Sequence, residues 1–483
     1  MSKLRVLYIV QEFPQVSETY IKSEIEAIRD QCEVLVISMF GADVAYSDHA
    51  PFQCLKDPAM IREVVEEFRP DVLHSHWLHH ARLLGYLSGA LRRPDEHVDR
   101  YIPFTIRAHS FDVLGEKGRY IHEAAPVINS DLCLGVFAFP FSRAPFERAG
   151  VRPEKIQDCF PVVNYRRFLD RSPNGSAVMN MGACLPKKKM SDFLELAGMF
   201  PEREFNLYAM GYRVADMERL NEQLGQPVTI VPALEPEVMP AEYKRHEWLV
   251  YTGCDKLRTV GWPIAVAEAQ ASGVGVCMPN LRPDLRQYVG EAGFLFESIN
   301  EVAEIISRPF PTELREQGFE HARKSDISEH GKLLTHLWRS AVASPPGPQA
   351  ANPDATVWGE GGSSWEWQYH LHAAQRDLQT VMPSGGDFIL VDEDQWRAAF
   401  TNGRRPIPLV ERDGQYWGPP ADDAAAIQEV QRGQEAGASH LVVGRPAFWW
   451  LDQYPGFRDY LRTTFPCPLE NEHLVVFSLR KEQ

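Results

Sequence analysis

Histidines recur in this chain at two places where an apolar run stops: Val72-Leu73-His74-Ser75-His76, and Thr105-Ile106-Arg107-Ala108-His109 followed by Ser110-Phe111-Asp112. An imidazole just past a strand end can bond a ligand, although a lone histidine is as readily packed and bonded internally. Recurrence at two successive strand ends favours a site role for His109 and a packing role for His74 and His76. A second patch is Lys187-Lys188-Lys189, which follows an apolar run at 177–181 and precedes a helical stretch. A strand-to-helix turn of that kind aims ammonium groups and free helix amides at an anion. The third is Glu268, inside Ile264-Ala265-Val266-Ala267-Glu268-Ala269. A carboxylate in so apolar a helical run is costly without a partner, and its two oxygens suit a diol.

The elements around these residues read as alternating strands and helices. Strands are predicted at 5–10, 34–38, 72–74, 104–108 and 132–136, with helices at 18–29 and 59–68. The polar stretch 170–176 then reads as a linker, and the alternation restarts. Strands follow at 177–181, 206–210, 228–231, 248–251 and 274–278, with helices at 190–200, 216–224, 263–272 and 326–340. Short apolar strands separated by helices imply parallel sheets joined by right-handed crossovers. Two such modules would face each other across a cleft, and ligands of open α/β sheets sit beyond the carboxyl ends of the strands. A Pro/Gly/Ser-rich spacer follows. A third segment then has strands at 388–392, 440–443 and 474–479 and a helix at 423–436. The domain reading is therefore 1–170, 171–343, a linker over 344–375, and 376–483.

Composition excludes several classes. The 483 residues carry a formal net charge of -16, which argues against a broad phosphate-binding face for nucleic acid. Eight cysteines, with no C-x-x-C pair, read as reduced thiols and not as a zinc site or disulfide frame. The run Val6–Val10 is shorter than a signal-peptide core, and no stretch approaches the roughly 20 apolar residues of a membrane span. A cytoplasmic location is expected. No G-x-G-x-x-G follows the first strand, so an NAD enzyme is not indicated.

Four local sequences resemble glycosyltransferase family 4, whose members have the GT-B fold of two facing Rossmann-like domains. The resemblance covers roughly residues 4–340. Glu12-Phe13-Pro14-Gln15-Val16-Ser17-Glu18-Thr19-Tyr20-Ile21 is similar to the family's Phe-Pro-x-x-Ser-Glu-Thr-Phe loop. It implies a cleft loop of Phe13, Ser17, Glu18 and Thr19, and Ser17 is also read as a helix N-cap. His109-Ser110-Phe111-Asp112 resembles His-Gly-x-Asp, with Ser110 in place of the glycine. The resemblance puts His109 beside the transferred sugar and Asp112 behind its loop. Gly182-Ala183-Cys184-Leu185-Pro186-Lys187-Lys188-Lys189 resembles the Gly-Arg-Leu-x-x-x-Lys-Gly turn, with Ala183 for the arginine and Lys189 for the final glycine. Lys188 carries over, with Lys187 and Lys189 supplying further charge.

Gly261-Trp262-Pro263-Ile264-Ala265-Val266-Ala267-Glu268-Ala269-Gln270-Ala271-Ser272-Gly273 resembles the E-G-F-G-x-x-x-x-E-A-x-A-x-G element. Glu268 takes the second glutamate's place, on the ribose hydroxyls. Val260 replaces the first glutamate, for which Asp255, Lys256 or Arg258 could substitute. The donor-binding set is completed by Trp262, Pro263, Ile264, Ala265 and Gly211. Gly290–Phe296 looks like the turn after the last donor-domain strand.

The resemblance thus implies His109, Lys188 and Glu268 as catalytic residues of a retaining, metal-independent transfer. The sugar would move from a nucleotide-sugar to an unknown acceptor, a bacterial glycan or a secondary metabolite, with no cofactor. Neither the sugar nor the choice among UDP, GDP and TDP follows. A nucleotide-sugar-binding protein that has lost transfer is the alternative, and an epimerase of the same fold is another. The C-terminal aromatics, Tyr416-Trp417 and Phe448-Trp449-Trp450, read as core filling or as faces for a glycan. That segment is also where a protein contact or self-association would fall.

Overall fold

The computed structural model describes residues 3–15, 18–39, 48–55, 58–91, 100–115, 118–210, 214–254, 260–344, 371, 374–375, 377–382, 386–396, 400, 404–412 and 415–479. The chain forms two compact units, Met1–Gly359 and Glu360–Gln483.

In the first unit, β1 (Leu4–Val10), β2 (Cys32–Ser38), β3 (Phe52–Cys54), β4 (Val72–His76), β5 (Phe104–Arg107), β6 (Cys133–Ala138) and β7 (Ile156–Asp158) form one sheet in the order β3-β2-β1-β4-β5-β6-β7. Every pairing is parallel. The near-continuous apolar run of β1 is what a strand covered on both faces requires, and its residues from Val6 to Val10 have no exposure. Strand order reverses between β1 and β4, so the loops beyond those two strands open a crevice.

A second all-parallel sheet repeats the design. It comprises β8 (Ala177–Ala183), β9 (Phe205–Met210), β10 (Thr229–Val231), β11 (His246–Val250), β12 (Gly275–Pro279) and β13 (Gly293–Phe296), in the order β10-β9-β8-β11-β12-β13. Its reversal lies between β8 and β11. Residues 293–296, read above as part of a turn, are the edge strand β13 and pair with β12 from Val276 to Pro279.

Two crossings join the sheets and lie side by side. Val163 forms a parallel bridge with Asp326, through Val163 N–H to Ser325 O at 2.9 Å and Ile327 N–H to Val163 O at 3.0 Å. The helix Ile327–Ala343 then returns to the first sheet. Asp326 caps its first turn, and Leu334 and Trp338 share a core with Leu4, Val6 and Tyr8. The fully buried Trp338 donates its indole N–H to Thr105 Oγ1 at 3.0 Å.

In the second unit, β14 (Gly386–Val391), β15 (Arg404–Pro408), β18 (His440–Gly444), β19 (Leu469–Glu470) and β20 (Leu474–Ser478) make a mixed sheet in the order β15-β14-β18-β20-β19. The pair β16 (Glu411–Arg412) and β17 (Gln415–Tyr416) forms a separate small ribbon. Trp450 and Tyr416 fill this unit's core, whereas Trp449 is exposed and donates to Glu393 Oε1 at 3.1 Å. Among the described residues, no helix is long and apolar enough to cross a membrane.

Candidate active site

Both reversal points of the first unit open onto one cavity of about 330 Å³. The first sheet contributes Thr19 and Tyr20, Trp77, His109 to Phe111, and Phe139. The second contributes Gly182, Ala183, Lys187, Lys188, Tyr208, Tyr251, Val260 to Ala265, and Glu268. His109, Lys188 and Glu268 therefore share one wall system, as do Lys187, Trp262, Pro263, Ile264, Ala265 and Thr19.

The cationic part is built from the turn after β8. Gly182 has φ +128°, a conformation that side chains rarely adopt, and a Cβ there would collide with the Lys188 ammonium. Glycine therefore allows the lysine to fold back over the strand end. The turn is fixed from β11's side: Thr252 Oγ1 donates to Lys188 O at 2.6 Å, and Cys254 N–H donates to Lys187 O at 2.9 Å. Burial lowers the pKa of both ammonium groups, and that of Lys188, beside Lys187, falls to about 8. Among the described residues neither has a carboxylate partner; Lys188 Nζ lies 5.5 Å from the Tyr251 ring centre. Two desolvated cations facing a cavity are a receptor for an anion. Lys189, placed in the donor set above, turns elsewhere. It has φ 42°, pairs with Asp192 at 2.9 Å and does not line the cavity.

Glu268 lies in the helix Ile264–Ala271, whose residues from Ala265 onward are all buried. Tyr243 donates its hydroxyl to Oε2 at 2.8 Å, while Oε1 has no protein partner among the described residues. Burial raises the carboxyl pKa to about 7, with the Tyr243 bond and Arg167 opposing it. Protonation is thus favoured in the free protein, and this group's contribution to stability falls as pH rises from the ordinary carboxylate range through 7. A diol needs the ionised acceptor. The ribose role that the family resemblance implies for Glu268 predicts that this group tightens nucleotide binding about tenfold between pH 6 and pH 8, because the ionised fraction rises about tenfold across a midpoint of 7. Calorimetry at both pH values checks this, with Glu268→Gln as the control that keeps the nucleotide's own titration and loses the extra slope.

Trp262 and its neighbours close the crevice. The Trp262 ring stacks on Tyr288 at 4.9 Å and 6°, packs against Phe139, Phe141 and Phe160, and donates to Asp284 Oδ2 at 2.9 Å. At 3% exposure it reaches the cavity by an edge and works mainly as packing between the two modules. Gly261 presses on Ser110, where any Cβ would strike the hydroxyl. Val260 is 1% exposed and offers the cavity no polar side-chain atom. Its proposed substitutes Asp255, Lys256 and Arg258 lie outside the described residues, as do Ser17 and Gly211.

On the first sheet's side, Asp112 is fully buried and accepts from the amides of His109 at 2.8 Å and Leu78 at 3.2 Å, which sets the turn after β5. It supports the loop and is not in the cavity wall. Trp77 follows β4 at φ 82°, a strained backbone for a bulky residue, and its ring lies 4.1 Å from that of His109. Phe13, expected in the cleft loop, is instead core: it is 1% exposed and edge-on to Phe52. It also meets the His49 ring edge-on, and its N–H donates to Ser38 Oγ at the end of β2 at 3.0 Å, which holds this loop against the first sheet. Glu18 occupies the cap position of the helix Thr19–Ile28 and is also absent from the cavity wall. Burial beside Glu12 raises its pKa to about 8.

Several residues that face or support the cavity were not anticipated: Glu24, Arg107, Arg167, Tyr20 and Tyr243. Two left a signal. Glu24 sits on the apolar stripe of Ile21, Ile25 and Ile28, and Arg107 is a charged residue at the end of a fully buried strand. The ligating atoms of Glu24, His74 and His76 lie within 4.8 Å of one another. Arg107 already balances that carboxylate at 2.6 Å.

The same architecture recurs in solved structures. HepE of Anabaena in complex with UDP and glucose superposes with a TM-score of 0.56 at 15% identity, over 70% of this chain and 100% of HepE. Its complex with UDP gives 0.55. Sucrose-phosphate synthase of Thermosynechococcus elongatus gives 0.55 at 14% identity, over 71% of this chain and 100% of that one. The fold is that of the GT-B glycosyltransferases. No protein-family model matches the chain, and no curated protein does. In GT-B terms the cavity lies between the two Rossmann-like modules, with the third sheet in the separate unit.

Proposed function

We propose that the protein is a glycosyltransferase of the family-4 type that moves a sugar from a nucleotide-sugar onto an acceptor such as a bacterial glycan or secondary metabolite. The observation that carries this reading is one cavity, in a GT-B fold, whose lining combines two lysines without a carboxylate partner and a carboxylate with one oxygen open, among the described residues. In this reading Glu268 takes the ribose diol, and Lys188 with Lys187 takes the diphosphate. As the sugar–oxygen bond breaks, negative charge builds on the leaving diphosphate, and fixed cations in a desolvated wall stabilise it where it forms. His109 shapes the sugar side. HepE, crystallised with UDP-glucose, supports a nucleotide-sugar in a site of this architecture. Retention, metal independence and the lack of a cofactor are part of the proposal and rest on the family resemblance. So do a cytoplasmic location, an acceptor-side module of 1–170 and a donor-side module of 171–343.

Turnover of a panel of UDP-, GDP- and TDP-sugars tests it. One donor should be consumed, faster with an acceptor present. A second reading, nucleotide-sugar binding without transfer, is favoured by Val260 and Ala183, which line the cavity where the family's glutamate and arginine stand. A nucleotide that binds while none of its sugars is consumed would establish that reading and reject the transferase. Consumption without any acceptor dependence would point to the epimerase chemistry.

A further inference from the structure

Behind the histidine wall of the cavity lies an enclosed set of charges. Glu24, with no exposure, accepts from Arg107 through Oε2, at 2.6 Å from NH2 and 3.1 Å from Nε. Its Oε1 accepts from the Tyr8 hydroxyl at 3.1 Å and lies 3.3 Å from His76 Nε2 and 3.0 Å from His74 Nε2. His76 Nδ1 in turn lies 3.1 Å from His109 Nε2. Of this set, His109 and Arg107 line the cavity, and His109 is the one reached through His76.

The protons along this chain can be counted. Arg107 and the histidines hold Glu24 ionised, well below the usual carboxylate range, so it can only accept. His76 must then carry its hydrogen on Nε2. Burial pushes the His76 pKa down to about 4, so the ring is neutral and Nδ1 is a lone pair. The facing His109 Nε2 must supply the hydrogen of that contact. His109 is neutral too: burial, His76, Arg107 and His79 all oppose its imidazolium, and among the facing charges Glu24 favours it. Its Nδ1 is therefore an acceptor. Tyr20 and Trp77 pack on the ring at 4.9 and 4.1 Å.

The geometry points to Glu24 as a positioning residue that, through His76, holds the cavity-facing His109 in its Nε2–H form with a fixed ring plane. His109 then presents an uncharged wall to the substrate and moves no proton. A metal ion on Glu24, His74 and His76 would demand the opposite pattern. It would take the His76 Nε2 lone pair, leave the hydrogen on His76 Nδ1, and make His109 Nε2 the acceptor. The pattern of hydrogens is independent of the transferase reading, whose failure would leave it unchanged.

NMR of the full chain labelled with 15N-histidine reads it, with His109 assigned by the signals lost in His109→Asn. The expected wild-type result is hydrogen on Nε2 and a lone pair on Nδ1, unchanged from about pH 6 to pH 8. His76→Leu should let His109 titrate or exchange tautomers. His76→Gln should restore the pattern, since its amide can donate to Glu24 and accept from His109. A wild-type His109 protonated on Nδ1, or titrating in that interval, overturns the proposal, and this measurement needs no variant to fold beyond the one used for assignment.

Discussion

Lys188→Met is expected to lower turnover of the preferred nucleotide-sugar by about a hundredfold or more while leaving the fold intact. The magnitude is that of removing one preorganised charge-stabilising donor, roughly 10²- to 10³-fold. Methionine keeps an unbranched apolar stem and removes the ammonium group, which lies 5.5 Å from the Tyr251 ring centre. Stability should not suffer. An ammonium whose pKa burial has lowered to about 8 is a cost to the free protein, so its removal relieves desolvation. The same shift predicts that nucleotide binding weakens above about pH 8, as Lys188 loses its proton. Steady-state kinetics and thermal denaturation of the variant check both halves. Unchanged turnover would show that the diphosphate does not lie at this turn.

Glu268→Ala should remove most activity by a different route. The variant loses the acceptor of two ribose hydroxyls, and charge-assisted bonds of that kind contribute about 1.5–3 kcal/mol each. Losing both corresponds to about 3–6 kcal/mol, so UDP affinity should fall by roughly two to four orders of magnitude. The truncation also removes the carboxylate acceptor of the fully buried Tyr243 hydroxyl, leaving it Ala265 O at 3.4 Å and Met181 Sδ at 2.7 Å. Glu268→Gln keeps an oxygen for Tyr243 and separates the two effects: it should fold as the wild type does and still bind UDP weakly. Wild-type affinity in the alanine variant, measured by calorimetry, would remove Glu268 from the ribose.

The modules and their order were legible because parallel strands buried on both faces must be largely apolar, as β1, β6 and β12 are. The short strands β3 and β7 were not, since three residues carry no period. The site was legible where chemistry conflicts with environment. Glu268 announces itself by standing in an alanine-rich helix, and His109 by ending a buried strand. Which distant residues pair with one another was illegible. Glu24 and Arg107 are separated by 83 positions and Glu268 and Tyr243 by 25, and nothing local encodes either pair. Phe13 and Lys189 misled for a related reason. Motif position specifies which loop they occupy, while a backbone turn specifies which way they point. Lys189, at φ 42°, is rotated off the direction shared by Lys187 and Lys188, and Asp192 captures it.

The measurement that tests the central claim most directly is a crystal structure of the chain with UDP bound. The account predicts ribose hydroxyls within hydrogen-bond distance of Glu268, and diphosphate oxygens against the Lys188 ammonium and the turn at Gly182. A nucleotide seated elsewhere, or one whose ribose and phosphates meet neither group, would contradict it.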